Sequence, residues 1–596
     1  MKLFISILAV TFMYCFFPSC KSDKDFLLEK PETFYTIDNA FSSSEQVDQI
    51  LVSMYSNIRE AWTNPREQPW MLVFKGNGTD EYDIASIRRS SSFNNYGNIN
   101  PDNSIFYDIY SFWYDLISKA NLAIYAANLP KIVWSSEADK NYALAQARFF
   151  RAFAYKNLAE EFGGVPIVTE ITSVPKYDYV RSTRTETYDF AISEMEAILE
   201  DLPVTTVEGG RLVRGAAQHN LCELYLAKGI ELDAETKSAD AKTAYTKSIQ
   251  YGNDVIDGGV YSLMENRFGT RSDESVISIP VYKNGNYGVA NIVDTVQQKV
   301  NVFWDLFQEG NVNYQDGNKE CIWAAQIDYQ AYKNEDGESK LAYSRIYGAD
   351  FRDGSSGTLT GTSEDVGGRG IVELIPTMYA RDEIFKSKWG NDMRNSDAVF
   401  RRRFKGNIPT SPYYLKDVPW DYLYNGSSDN TTNKNNASLC YPVSCKIATD
   451  KYTGIADGEN MSNLFRDDYI IRLPETILLR AEAKQRNGDK AGAASDINLL
   501  RKRAKCSYMV TAADMDDNFN LILDERAREL MYEECRWNTL LRMGKTIAVD
   551  RIKKYAYWPE AQATLNFNFN LWPIPQKVIE TNKDAVIAQN PAWVNK

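Results

Sequence analysis

Apolar residues recur at intervals of three and four over long stretches of this chain, the spacing that lines them up on one face of an α-helix. In YALAQARFFRAFAYKNLAEEFGGVP, the residues Leu144, Ala147, Phe150, Ala154 and Leu158 form such a stripe. Gly163 and Gly164 are expected to stop that helix, and Pro166 forbids an immediate restart. A second helix fits Thr185 to Leu202, closed by Pro203. The pattern repeats as a helical pair in Ala216 to Gly229 and Ala241 to Gly259, and again in Pro474 to Ala504. A further helical stretch, LILDERARELMYEECRWNTLLRMGK, runs from Leu521 to Lys545.

Each pair is a helix, a short turn and a second helix, with alanines where two helices must approach closely. Such hairpins cannot bury their apolar faces alone and so stack, in the manner of tetratricopeptide repeats. The expected fold class is therefore mostly α, with stacked tetratricopeptide-like hairpins supporting an irregular, loop-rich region with short strands. Between residues 262 and 468 Gly, Asn, Asp, Ser and aromatics dominate, and short strand-like pieces appear in Ser275 to Tyr282 and Glu320 to Tyr329. Loop-rich material on a rigid scaffold often carries function. The expected organisation is a signal peptide at 1–19, a lipidated tether and N-terminal segment at 20–40, and a helical scaffold at 41–261 with a loop insertion at 64–104. An irregular loop-rich region follows at 262–468, and a C-terminal helical part at 469–596 completes the scaffold.

The N-terminus changes character abruptly. Met1 and Lys2 precede an apolar run from Leu3 to Phe17, which then meets Ser19, Cys20 and a polar, charged segment. That run is shorter than the roughly 20 residues a membrane-spanning helix needs, and it has the layout of a secretory signal. A small residue directly before Cys20 is similar to the bacterial lipobox, in which the cysteine becomes the lipidated N-terminus, although Phe17 and Pro18 depart from the usual residues. An ordinary cleaved signal with an incidental cysteine is the alternative.

The chain of 596 residues is 44% hydrophobic and carries 67 basic against 80 acidic side chains, so its net charge of −13 gives no reason to expect nucleic acid as a partner. Six cysteines follow Cys20, without zinc-site spacing; Cys440 and Cys445 flank a short loop and are close enough in sequence to pair, and the others read as small core residues. The single histidine, His219, sits in an alanine-rich helical segment and reads as a packed or surface residue. It leaves no partner for a zinc protease, and no nucleophile elbow, phosphate loop or dinucleotide fingerprint accompanies it. NEDGE lacks the first acidic position of a calcium loop, so neither a metal nor another cofactor is expected. A glycosidase built on two carboxylates survives these exclusions. The 37 Tyr, 27 Phe and 12 Trp point elsewhere, because many lie in loops, where flat rings can stack on sugar faces while Asn, Asp and Arg bond hydroxyls.

Several motifs in order resemble the SusD/RagB family of outer-membrane nutrient-binding lipoproteins. They are Cys20 with Asp25-Phe26-Leu27 and Pro31, Ala120-Asn121, and AQARFFRAFAYKNLAEEFGGVPIV with Arg148, Arg151, Tyr155, Gly163, Gly164 and Pro166. IIRLPETILLRAEA, ERARELMYEECRW with Glu525, Arg526, Glu529 and Arg536, then Pro573-Ile574-Pro575 and Gln589-Asn590-Pro591 continue the series. Cys535, Met543 and Ala592 depart from the usual residues at positions that touch packing and turns. The resemblance implies a lid on a SusC-like TonB-dependent barrel, held to the outer membrane at the cell surface through lipid on Cys20. Such a protein binds oligosaccharide or polysaccharide and performs no catalysis. A cargo of peptide or another nutrient on the same scaffold, and a lipid-anchored glycosidase, are the competing readings. Arg151 and Glu525 are implied to join buried ion-pair or capping networks.

The family's ligand face draws on the loops after the first helix and on the central irregular region. In the first, Trp70, Asp80, Tyr82, Asn94, Asn95 and Tyr96 are the expected contacts; in the second, Trp304, Arg352, Trp389, Tyr413 and Trp420.

Overall fold

Helices form where the apolar spacing places them, and local signals set their ends. A computed structural model describes residues 40–65, 69–84, 91–172, 174–283, 289–351, 361–418, 440–544 and 546–596. Helix α1 (Ser44–Thr63) starts at a capping box between Ser43 and Gln46 and buries Val47, Leu51, Met54, Ile58 and Ala61 on one stripe. Helices α2 (Ser104–Ala127) and α3 (Glu137–Phe162) pack side by side against it. The Ser136 hydroxyl caps α3 by accepting from the Asp139 amide at 3.1 Å, and Gly163 ends it at φ +79°. Gly164 is required for a different reason: a Cβ there would lie 1.9 Å from the carbonyl oxygen of Ser182. The doublet that stops α3 thus also lets the chain fold back against itself.

Helices α4 (Arg184–Glu196), α5 (Arg214–Ala234) and α6 (Ser238–Ile256) continue the stack, each against its predecessor. Helix α4 ends six residues earlier than its spacing suggests, and Leu199–Asp201 form a separate turn. More than 200 residues later, α7 (Leu473–Arg486) and α8 (Lys490–Arg503) add a further hairpin, with α7 lying on α6. Among the described residues the fold is mostly helical, with eight short strands paired two by two. Strands β1 (Tyr82–Ile84) and β5 (Leu374–Pro376) pair antiparallel, as do β2 (Val276–Tyr282) with β3 (Ile292–Lys299) and β4 (Cys321–Ala325) with β8 (Asp468–Arg472). A two-residue pair, β6 (Phe400–Arg401) with β7 (Val443–Ser444), completes them. Among the described residues no helix is long and apolar enough to cross a membrane.

Helix α9 (Asn520–Leu530) and helix α10 (Arg536–Arg542) occupy the stretch that periodicity alone reads as one helix. The break falls at Tyr532, whose φ of +72° no helix tolerates and whose amide donates to the Tyr82 hydroxyl at 2.7 Å. The Lys446 ammonium sits at the end of α9, donating to the carbonyls of Glu529 at 2.7 Å and Met531 at 3.1 Å. A charged donor at orphan carbonyls supports the end of a helix.

Buried charges join the loop-rich region to the scaffold. The Glu529 carboxylate on α9 accepts from Arg472 at 3.0 Å, Arg394 at 3.1 Å and the Arg503 guanidinium. These arginines come from the end of β8, the loop-rich region and the end of α8, and each is almost fully buried. Burial alone would push Glu529 up, but Arg503, Arg472 and Arg394 hold it well below the ordinary carboxylate range. Glu320, beside β4, receives Arg472 at 2.7 Å and Arg503 at 2.6 Å, so the same two arginines bind two acids. Glu525 takes Arg394 at 2.7 Å and Arg528 at 2.8 Å, and Arg151 reaches Glu194 at 2.9 Å and Asn121 at 2.9 Å. Both residues therefore stand in buried networks, as the motif implied.

Cys440 and Cys445 are both buried and both unpaired, so no disulfide joins them; they act as small apolar residues. His219 is buried, its Nδ1 2.8 Å from the Thr476 hydroxyl, and burial pushes it down to about 3, so it remains a neutral hydrogen-bonding group.

One buried acid sets a pH dependence. Burial pushes Glu161 up to about 8, outweighing the 2.8 Å hydrogen bond from the Trp113 indole that favours its charged form. An unfolded Glu titrates near about 4.3, so the stability tied to this proton is complete below that pH and is lost as pH rises towards 8. Glu161→Gln keeps an acceptor for Trp113 and removes the titration. Between pH 5 and pH 9 its thermal midpoint is expected to fall less than the parent's, a difference worth a few kcal/mol. Parallel pH profiles in scanning calorimetry would refute this.

Candidate functional site

The loop that follows α1 is drawn into the body by a tight turn. Gly78 adopts φ +82°, and a Cβ on it would fall 2.6 Å from the Phe93 side chain. The turn delivers β1 to β5, and Asp83 in β1 accepts from the amide of Tyr557 at 3.1 Å. The indole of Trp558 donates to the Ile84 carbonyl at 2.9 Å, and the Asn94 side-chain amide approaches the same carbonyl at 3.5 Å. Tyr557 and Trp558 meet edge to face at 4.9 Å. Both rings, and that of Tyr413, pack half-buried on a small cluster formed by Phe351, Val372, Ile375, Phe404 and Tyr441. Pro559 starts the next short helix, whose Thr564 hydroxyl accepts from the Tyr96 amide at 2.9 Å.

This patch offers three half-exposed aromatic rings beside an amide side chain. Flat rings supply apolar stacking faces, and the Asn94 side-chain NH2 supplies a donor, while its Oδ1 is buried. The Asp83 carboxyl lies behind them; burial pushes it well above the usual carboxylate range, while the amides of Tyr557 and Trp558 oppose that. Asp83 is therefore a support for the patch and not an exposed anion.

The expected contacts divide sharply. Asn94 and Tyr413 reach the patch, and Asn95 lies beside it, half-exposed, with its side chain accepting from the Gly97 amide at 3.0 Å. Five others are interior residues, a correction to the expectation. Trp70 is buried, its ring packed at a tilt 4.8 Å from that of Phe112. Tyr82 is wedged between Tyr347 and Tyr532 at 5.3 and 5.7 Å. Tyr96 is fully buried and gives its hydroxyl to the Gly78 carbonyl. Trp304 lies under Arg271, 4.6 Å from its ring centre. Asp80 is fully buried, bound by both arms of Arg536 at 2.8 and 2.7 Å and by Arg551 at 2.8 Å. Burial works against its charge, but Arg536 and Arg551 bring it down to about 2. Trp389 is half-buried, with the guanidinium groups of Arg528 and Arg501 over its ring at 4.4 and 4.8 Å, so it anchors its loop. Arg352 and Trp420 lie outside the described residues.

Tyr557 and Trp558, the other two rings of the patch, are not among the expected contacts because they fall in a helix-rich region. Their one signal is the Tyr-Trp-Pro sequence itself, a large aromatic pair directly before a helix start. An open groove of about 560 Å³ lies elsewhere, between α2 and the segment that follows α3.

Comparison with known proteins places this architecture. Residues 296–593, half of the chain, match the model of the SusD family, and residues 25–226 match one described as starch-binding associating with outer membrane. SusD-like protein P2 of Formosa agariphila is 22% identical over 584 residues, covering 95% of this chain and 96% of that protein. A SusD homologue from Bacteroides thetaiotaomicron shares the fold with a TM-score of 0.64 at 15% identity, covering 94% of this chain and 98% of its own. A laminarin-binding SusD-like protein does so with a TM-score of 0.57 at 18% identity, covering 93% and 100%. The binding named among these relatives is of carbohydrate, laminarin in one and starch in the matched family model. The chain belongs to the SusD family.

Proposed function

We propose that this protein is a cell-surface lipoprotein that captures oligosaccharide or polysaccharide and, as the lid of a SusC-like TonB-dependent barrel, releases it for uptake unchanged. The observation that carries this reading is the likeness along nearly the whole chain to SusD-like proteins, including a segment matched by a starch-binding, outer-membrane-associating family. The patch of Tyr413, Tyr557, Trp558 and Asn94 supplies the stacking and hydrogen-bonding chemistry that a sugar needs. Cys20 would carry the lipid, and Asp23 and Asp25 behind it would form the acidic part of a surface-export signal.

The protein lacking residues 1–20 is expected to bind at least one immobilised glycan and to leave it intact by product analysis. Replacing both Tyr413 and Trp558 with alanine should weaken that binding by tenfold or more at an unchanged fold, since each stacked ring is worth about 1 kcal/mol. Release of reducing ends would replace this reading with a glycosidase, and binding of peptides alone would replace the cargo. Separately, Cys20→Ala is expected to move the protein from the membrane pellet to the soluble fraction; continued sedimentation with outer membranes would argue against the lipid anchor.

A further inference from the structure

The groove beside α2 is built by three pieces of chain that the aromatic patch does not use. One wall is α2, the second is made by residues 165–172 and 174–180 after α3, and the third is α11 (Gln576–Thr581) with the residues that follow it. Its walls are held in place. Tyr114 donates to the Pro166 carbonyl at 2.6 Å, and Asn121 to the Val168 carbonyl at 3.0 Å. Asn582 bridges the backbone of Tyr179, accepting from its amide at 2.8 Å and donating to its carbonyl at 2.9 Å. A cavity of about 560 Å³ whose outer two walls are each hydrogen-bonded to the middle one is a pre-formed site of small-molecule size.

The lining is that of a polyol site. Tyr110 and Tyr114 stack on each other at 4.8 Å, and Tyr107 and Tyr179 stand at the two sides, each with a lysine near its ring. Burial pushes Tyr110 up to about 12 and Tyr114 well above the usual phenol range, so both remain neutral hydroxyls. Apolar contact comes from Ile117, Val168 and Ile587. The charges balance, with Asp115 and Glu170 against Lys176 and Lys577, so nothing in the groove selects a strongly charged ligand.

We infer that this groove is a second carbohydrate site, taking a short uncharged oligosaccharide whose ring faces lie against Tyr107 and Tyr179. The inference rests on the glycan-binding reading and adds a site to it. A longer glycan, or two chains of one polysaccharide, could then be held at the groove and at the aromatic patch together, with a gain in avidity over either alone.

The test uses the whole protein lacking residues 1–20 and an array of neutral algal, plant and microbial glycans, with fragments of laminarin and starch as the first probes in solution. Titration calorimetry should give two equivalents of a bound oligosaccharide. Tyr107→Ala combined with Tyr179→Ala should remove one of them, or weaken it tenfold or more, without lowering the thermal midpoint. The paired Tyr→Phe variants, which keep the rings, should restore it. Bound glycan should also protect Lys176 and Lys577 from acetylation, read by mass spectrometry, which needs no variant. Binding with unchanged stoichiometry in the alanine variant and no protection of either lysine would overturn the groove while leaving the glycan reading intact. Failure of the parent protein to bind any glycan on the array would overturn the reading and the groove together.

Discussion

The carboxylate of Glu529 holds the molecule together. Three arginines converge on it from the loop-rich region, from the end of β8 and from the end of α8, and all four groups are withdrawn from water. Taking one such charge out of water costs several kcal/mol, and only dense reciprocal pairing offsets that cost. Glu320 and Glu525 share the same arginines, which spreads the pairing through a web. A web of this kind contributes little net stability compared with an apolar core, but it has one arrangement. Once Arg394, Arg472 and Arg503 are placed, the loop-rich region has a single seat on the helical scaffold.

That constraint bears on function because the aromatic patch is assembled from distant parts of the chain. Asn94 comes from the loop after α1, Tyr413 from the central region, and Tyr557 and Trp558 from the C-terminal part. Asp80, a few residues before β1, is locked by Arg536 and Arg551, so the loop carrying Asn94 is pinned to the same C-terminal part that presents Trp558. On the proposed function, a surface held this way before ligand arrives is pre-organised, which lowers the entropic cost of holding a flexible glycan.

The scaffold was legible in the sequence because helix formation is local. The Leu144 to Leu158 stripe and the Gly163-Gly164 stop were read correctly, and α3 ends where the doublet falls. The interruption between α9 and α10 was not legible, since Tyr532 is held at positive φ by a tyrosine 450 residues away. Burial at the expected contacts was hidden for the same reason. Asp80 and Tyr82 sit in a polar-looking loop, and only partners distant in sequence, Arg536 and Arg551 for the first, Tyr347 and Tyr532 for the second, turn them into core. Trp304 and Trp389 looked like free loop aromatics, yet arginines remote in sequence cover both rings. Asn94 and Tyr413 are the expected contacts that the structure leaves partly exposed at the patch. Tyr557 and Trp558 carried no more than a Tyr-Trp-Pro signature in a helical context.

Native-state hydrogen exchange on Glu529→Gln tests the central claim most directly, because the substitution keeps the shape of the side chain and removes the charge that three arginines share. Breaking a buried pair of this kind costs about 3–5 kcal/mol. The expected result is faster exchange in the amides of β4, residues 392–401 and residues 443–447, with the cores of α2 to α5 exchanging at parental rates. Parental protection in those loop-region segments would contradict the account, since the region would then keep its seat on the scaffold without the hub.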